Sequence, residues 1–302
     1  MAADKQIRFQ DYLKEEVDRV RGAYYPVKAG FFRQAFVRHT LTKRLHPNPE
    51  DEFCHPDIGP NYSIIGKYKE AFRRGNNILP IRASEEGDSF CEPLMVQKAR
   101  PDGYLILNGH HRWAAAFITG VRVVDVKVVN LTEEKDIRKM LERARSDRRV
   151  TLDLDEVVFC DKDDAFAEKT MPFPLNRIYK ERVRQGIPAL FHFLNVSNLD
   201  IWVYSSKYHS MEYVYYYFRR LGVRLTGVVT GTGRKNGAKG NSEEIKKLME
   251  TKYASTIHID AQSVMRTVTG SRECDEQALS GSPETWSREV IDAIVAWEKA
   301  EK

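Results

Sequence analysis

Two short stretches of the chain carry side chains whose types and spacing suit chemistry on phosphate groups. The first reads YLILNGHHRWAAA over 104–116. An apolar strand runs into Asn108-Gly109 and straight into an alanine-rich helix, and Gly109 allows a backbone turn that a Cβ would obstruct. The N–H groups that follow lie at a helix N-terminus, where they can hold an anion. Arg112 adds a bidentate contact to a phosphate, while His110 and His111 donate hydrogen bonds or shuttle a proton. The same residues also fit a plain turn with two surface histidines and an Arg paired to a carboxylate. The second stretch reads VTLDLDEVVF over 150–159. Asp153 and Asp155 are two apart at a strand end, so they share a face, and one carboxylate can attack while the other moves a proton. A divalent metal there would offset phosphate charge. An acidic strand end without chemistry is the alternative.

The elements around these stretches fall into two groups. Residues 8–24, 30–41 and 61–75 read as helices, with a Pro- and Asp-rich turn at 45–60. Strands are expected at 78–82, 93–98, 104–107 and 121–129, with a helix at 111–118 closed by Thr119-Gly120. A charged connecting helix occupies 132–149. Beyond it strands at 150–154, 200–205, 225–230 and 255–260 alternate with helices, the last at 284–299, which argues for a parallel sheet covered on both faces. The expected class is therefore α/β in two domains: an α+β domain over 1–131, the linker helix 132–149, and a parallel-sheet domain over 150–302.

Composition narrows the options. The 302 residues are 42% apolar and 30% charged, a globular balance. No apolar run of about 18 residues exists, and MAADKQIRFQ has no apolar signal core, so no membrane partner and a cytoplasmic location are expected. Cys54, Cys91, Cys160 and Cys274 form no CxxC pair, and Cys54-His55 has no second ligand cluster, so no zinc site is expected. The net charge of +5 suits an anionic ligand without demanding nucleic acid. Oligomeric state is written in none of these features.

The first stretch, ILNGHHRWAAAFITGV, resembles the ParB/sulfiredoxin-like superfamily, and in particular the DGHHR form of ParB-like free-serine kinases. LHPNPEDEF (45–53) is similar to the Pro-rich acidic segment of those proteins. The resemblance implies a domain over about 30–131 in which Asn108, Gly109, His110, His111 and Arg112 bind the phosphates of ATP or another nucleotide. An acidic residue in 50–52, Glu52 foremost, would then be the base toward a hydroxyl acceptor. The kinase form has Asp where this chain has Asn108, and sulfiredoxin chemistry needs Cys where it has His110. DNA-loading ParB proteins also carry a helix-turn-helix that is not evident here.

The second half resembles the haloacid dehalogenase-like (HAD) phosphohydrolases, a Rossmannoid fold, here with a small cap because only about 45 residues separate the first two motifs. By that resemblance Asp153 is the nucleophile and Asp155 the general acid/base. Ser205 or Ser206 (IPALFHFLNVSNLDIWVYSS) binds the phosphoryl group, and Lys239 or Lys235 (AKGNSEEIKKL) neutralises it. Asp260 (TIHIDAQSV) completes a Mg2+ site with Asp153 and Asp155. The second acid expected after Asp260 is missing, since Ala261 follows. The function expected is Mg2+-dependent phosphatase action on a small phosphorylated metabolite or nucleotide, coupled to a nucleotide-binding domain with room for a kinase activity. The alternatives are a nucleotide-binding regulator with a degenerate phosphatase half, and a nucleic-acid-associated protein. The aromatic run at 212–218 reads as packing.

Overall fold

The computed structural model describes residues 2–74, 92–161, 163–231, 239–271 and 274–300. The expected strand at 78–82 lies outside them. The chain divides into two compact units, Met1–Asn130 and Leu131–Lys302. No helix among the described residues is long and apolar enough to cross a membrane.

The first unit contains α1 (Ala2–Ala23), β1 (Tyr25–Pro26), α2 (Phe31–Ala35), β2 (Arg38–Leu41), β3 (Leu45–His46), α3 (Tyr62–Arg73), β4 (Leu94–Arg100), β5 (Tyr104–Asn108), α4 (His110–Thr119) and β6 (Val123–Val128). Its sheet runs β2-β6-β4-β5-β3, with β1 added beside β4. The pairing is mixed: β4 is antiparallel to β5 and parallel to β6. Phe9, Leu13 and Val17 recur every four residues along α1 and are buried, so one stripe of that helix enters the core. Trp113 of α4 is fully buried there, with the Phe9 ring 5.8 Å from its own. Asn61 starts α3 by accepting hydrogen bonds from the Ser63 and Ile64 N–H groups. The helix expected over 30–41 is only five residues long. Its second half, from Arg38, becomes β2 because it pairs antiparallel with β6, a tertiary contact that overrides helical spacing.

The second unit contains α5 (Glu134–Glu142), β7 (Arg148–Asp153), β8 (Phe159–Cys160), β9 (Arg182–Val183), α6 (Ile187–Val196), β10 (Asp200–Ser205), α7 (Met211–Arg220), β11 (Gly227–Thr230), α8 (Lys239–Lys252), β12 (Ser255–Ile259), β13 (Ser263–Val268), β14 (Cys274–Ala278) and α9 (Trp286–Ala300). The sheet order is β11-β10-β7-β12-β13-β14. The first four strands are parallel, and β13 and β14 are added antiparallel. A single π-type turn (Leu154–Val158) follows β7 and leads into β8, which pairs antiparallel with β9.

Alternation along the strands sends Val150, Leu152, Ile201, Val203, Ile257 and Ile259 to one face, where α6, α7 and α9 cover them. Trp202 points to the other face and packs against α5 and α8 through Ile137, Met140, Met249 and Tyr253. The expected linker helix is shorter than 132–149 and belongs to this unit, because residues 145–147 turn back to the sheet. The buried Asp200 carboxylate accepts from Ser146 N–H at 3.1 Å, the Thr226 hydroxyl at 2.9 Å and the Tyr253 hydroxyl at 3.2 Å. Tyr253 in turn accepts from the Trp202 indole N–H at 2.8 Å. Several converging donors offset the cost of burying this carboxyl group.

Candidate functional sites

In the first unit, Gly109 caps α4 with φ +100°. The left-handed backbone favours glycine, and a Cβ there would also displace the Leu94 side chain, whose Cδ2 lies 2.3 Å from its position. The first-turn N–H groups of α4 have no carbonyl partner within the helix, and the macrodipole adds partial positive charge at that point.

The side chains of this turn point mostly inward. His110 is 4% exposed, and its Nε2 accepts the Asn48 N–H at 3.2 Å. That leaves Nδ1 as the protonated nitrogen, 3.5 Å from Asp51 Oδ2. The ring stacks on Phe53 at 5.4 Å. Burial pulls the His110 pKa down to about 4, against the attraction of Asp51, so the ring is neutral at pH 7. His111 Nε2 accepts the Asn61 N–H at 3.1 Å, and burial lowers its pKa as well. The two histidines therefore fasten the 48–61 segment to the start of α4. Arg112 is buried and donates from Nη1 to the Glu92 carbonyl. Asn108 is exposed at the end of β5. Among the acidic residues of the 50–52 loop, the one beside His110 is Asp51, which also caps the Phe53 N–H, while Glu52 is exposed.

In the second unit, Asp153 closes β7 on the carboxyl edge of the sheet. Its Oδ1 accepts the N–H groups of Asp155 at 2.6 Å and Glu156 at 3.0 Å, which holds the π-type turn. No described residue donates to its Oδ2. Register pairs Tyr204 with Asp153 and Ile259 with Leu152. One step further, Ser205 and Asp260 stand at the ends of the strands on either side of Asp153. Ligand crevices of parallel sheets lie at this edge.

The Asp155 carboxylate, 6% exposed, is taken up by the loop after β10. It accepts from Ser205 Oγ at 2.9 Å, Ser206 N–H at 3.0 Å, Ser206 Oγ at 3.1 Å and Lys207 N–H at 3.3 Å. His209 Nε2 is 3.4 Å away. Burial alone would raise this carboxyl. The hydrogen bonds from His209 and Ser205, the His209 charge and the Lys207 N–H outweigh it and hold Asp155 well below the usual carboxylate range. In this arrangement Asp155 is an ionised anchor for residues 205–209, whereas a general acid needs a raised pKa.

Asp260 is exposed, and its carboxylate accepts the Ala261 N–H. Lys239 opens α8, and its side chain lies outside the described part, as does Lys235 altogether. Among the described residues no group of three or more His, Cys, Asp and Glu side chains is placed to hold a metal. The oxygen donors that the register brings to this edge are two carboxylates, Asp153 and Asp260. That all-oxygen set matches in kind what Mg2+ takes, since Mg2+ keeps several waters.

The residues that sequence spacing did not single out are Asp51 as the partner of His110, the Asn48 and Asn61 N–H groups, and His209. All of them come from loops whose approach no local pattern encodes.

The description "ParB N-terminal domain" matches residues 80–143, a stretch that includes β4, the β5–α4 turn and α5. Among solved structures, the chain is similar to the C-terminally truncated chromosome-partitioning protein ParB from Caulobacter crescentus complexed with CTP-gamma-S. The two are 22% identical over 37% of this chain, with a TM-score of 0.23. The overlap spans 56% of that chain, little more than half its length. No curated protein matches. The family match ends at residue 143, so the phosphohydrolase resemblance of the second unit has no family match behind it. What the comparisons give is a ParB N-terminal-domain match that takes in the Gly109 turn.

Proposed function

We propose that the first unit binds a nucleotide by its phosphates at the N-terminus of α4. The observation that carries this reading is the coincidence of the ParB N-terminal-domain match with a glycine-capped helix start. The contacts come from backbone N–H groups and the dipole, because His110, His111 and Arg112 are engaged with the protein itself. The ParB match also keeps nucleic acid among the partner classes, and a net charge of +5 tolerates it. The test is calorimetric titration with CTP, ATP, GTP and UTP, wild type beside His111→Glu. Glutamate is favourable in the first turn of a helix and its carboxylate reaches as far from the backbone as imidazole Nε2, so it can accept the Asn61 N–H while the phosphates meet a negative charge. The expected result is binding of at least one nucleotide, displaced by tripolyphosphate and weakened roughly tenfold or more in the variant. Absence of binding to all four would remove the reading.

A second reading is favoured by one specific observation, the half-pinned carboxylate of Asp153. We infer that the second unit transfers a phosphoryl group from a small phosphorylated substrate. Oδ1 is fixed by two N–H groups, so Oδ2 is oriented for attack on phosphorus. Ser205 stands at the neighbouring strand end. Mg2+, held by Asp153, Asp260 and the Asp155 carbonyl, would supply neutralisation of phosphate charge. Phosphate release from a panel of phosphomonoesters with Mg2+ should fall by about 10³-fold or more in Asp153→Asn. Equal release by variant and wild type would assign the activity elsewhere. Release by neither would leave the second unit as a regulatory partner of the nucleotide-binding unit.

A further inference from the structure

Beside the edge strand β11, a cavity of about 210 Å3 lies between α5, α7 and the turn that leads into β11. Its apolar wall is Met140 of α5, Met211 and Tyr215 of α7, and Leu225 of the turn. Helical spacing builds this wall. Met211 and Tyr215 are four apart on α7, and Met140 shares a face of α5 with Asp136 and Arg143. The hydroxyls at the wall are already engaged. Tyr215 donates to the Thr226 carbonyl at 3.2 Å, and the Thr226 hydroxyl donates to Asp200 at 2.9 Å.

What the cavity offers a ligand is charge. Lys139 and Arg143 of α5 and Arg224 of the turn line it, and all three are exposed. Burial raises the Tyr215 phenol, and the Arg143 charge pulls it back, so that guanidinium stands near the cavity wall. Among the described residues no carboxylate pairs with Lys139, Arg143 or Arg224. The one acid in the lining, Asp136, is held at the start of α5, where its Oδ2 accepts the Glu133 N–H at 2.9 Å. Three cations against one carboxylate leave an excess of two positive charges. Lys139 and Arg143 also suit the C-terminal end of α5 through its dipole. Arg224 belongs to a different element, so the dipole does not account for the cluster.

A single exposed ion pair contributes little, so a ligand held here engages several of these cations at once. A cavity this small takes two negative charges only when they sit on one compact group. The tetrahedral oxygens of a phosphate meet that condition and accept donors arriving from two elements. We propose that this cavity binds a small organic phosphomonoester with an apolar body, the phosphate among Lys139, Arg143 and Arg224, the body against Met140, Met211 and Leu225. The turn before β11 lies at the amino end of the parallel strands, so the site is separate from the carboxyl edge that carries Asp153 and rests on neither function proposed above.

The test uses the full chain with isotope-labelled methionine methyls, followed by NMR. The probes are phenylphosphonate, a phosphate mimic that a phosphatase does not hydrolyse, at a pH where it is doubly charged, and its singly charged twin benzenesulfonate. Phenylphosphonate should shift the Met140 and Met211 methyls saturably and leave Met171, in the other core cluster, unmoved. Benzenesulfonate should bind about fivefold or more weaker, and Arg143→Gln and Arg224→Gln should each weaken phenylphosphonate by a similar factor. Both side chains are exposed and make no ion pair, so the variants keep the fold, and the methyl spectrum reports that directly. Wild-type protein supplies an independent arm: raising NaCl from about 20 mM to about 300 mM should weaken binding by a comparable factor. The proposal is overturned if neither methyl shifts saturably, if benzenesulfonate binds as tightly, if either glutamine variant titrates like wild type, or if salt has no effect.

Discussion

The Gly109 turn of the first unit and the Asp153 turn of the second are built on the same plan, a strand that ends in a polar turn, yet they spend their side chains differently. At the Gly109 turn the chemically promising groups are consumed by the fold: His110 and His111 each accept a backbone N–H from the 48–61 segment, and Arg112 bonds the Glu92 carbonyl. What remains for a ligand is mostly main chain. At the Asp153 turn the division runs between two carboxylates. Asp155 is saturated by donors from 205–209, whereas Asp153 keeps one oxygen without a donor among the described residues. Residue type and spacing locate both turns, but only the hydrogen-bond inventory says which atoms are left over for a partner.

The sharpest way to break this contrast is at the backbone of the first turn. Gly109→Val forces a branched side chain into a left-handed residue already crowded by Leu94. We expect a loss on the order of 3 kcal/mol, read as an earlier urea transition reported by Trp113 fluorescence. The second unit has no such dependence on glycine at its turn, where Asp153 sits at φ −79°.

A smaller effect is expected from Asp155→Asn, which keeps the shape but removes the charge that gathers 205–209. About 2 kcal/mol should be lost at pH 7. The pH dependence sharpens the assignment. Because the folded pKa of Asp155 is depressed, its contribution is full above the unfolded value, near 4, and fades as pH falls through the folded one. Urea titrations from pH 6 to pH 2.5 should show this fall in wild type and a flatter curve in the variant.

His110 breaks the comparison through pH alone. Its pKa is about 4 in the fold against 6.5 in the unfolded chain, so the unfolded state binds more protons between those values. First-unit stability is therefore complete above pH 6.5 and declines as pH drops toward 4. His110→Gln, which can still accept the Asn48 N–H, should lose that slope; an unchanged slope would place the titrating group elsewhere.

Much of the frame was legible because it is written in local patterns. The runs 200–205 and 255–260 gave strands within a residue of β10 and β12, and the strand ends at Asp153, Ser205 and Asp260 do stand side by side. The Asn-Gly turn was legible for the same reason. The antiparallel additions were not. β14 reads CDEQA and is exposed throughout, so no hydrophobic alternation marks it. β2 lay hidden in a helix-like spacing until β6 supplied its partner. At the candidate sites the missing information was always a loop brought in from elsewhere: Asp51 to His110, His209 to Asp155.

The Asp200 cluster has a consequence for how this protein can change. It ties the 145–147 turn, β10, the start of β11 and the end of α8 together at the amino end of the sheet, away from the edge that holds Asp153. The anchoring of the frame and the Asp153 edge thus occupy opposite ends of the same strands. Substitutions at that edge leave the anchor intact, so this architecture has latitude to change the chemistry of the edge while it stays folded.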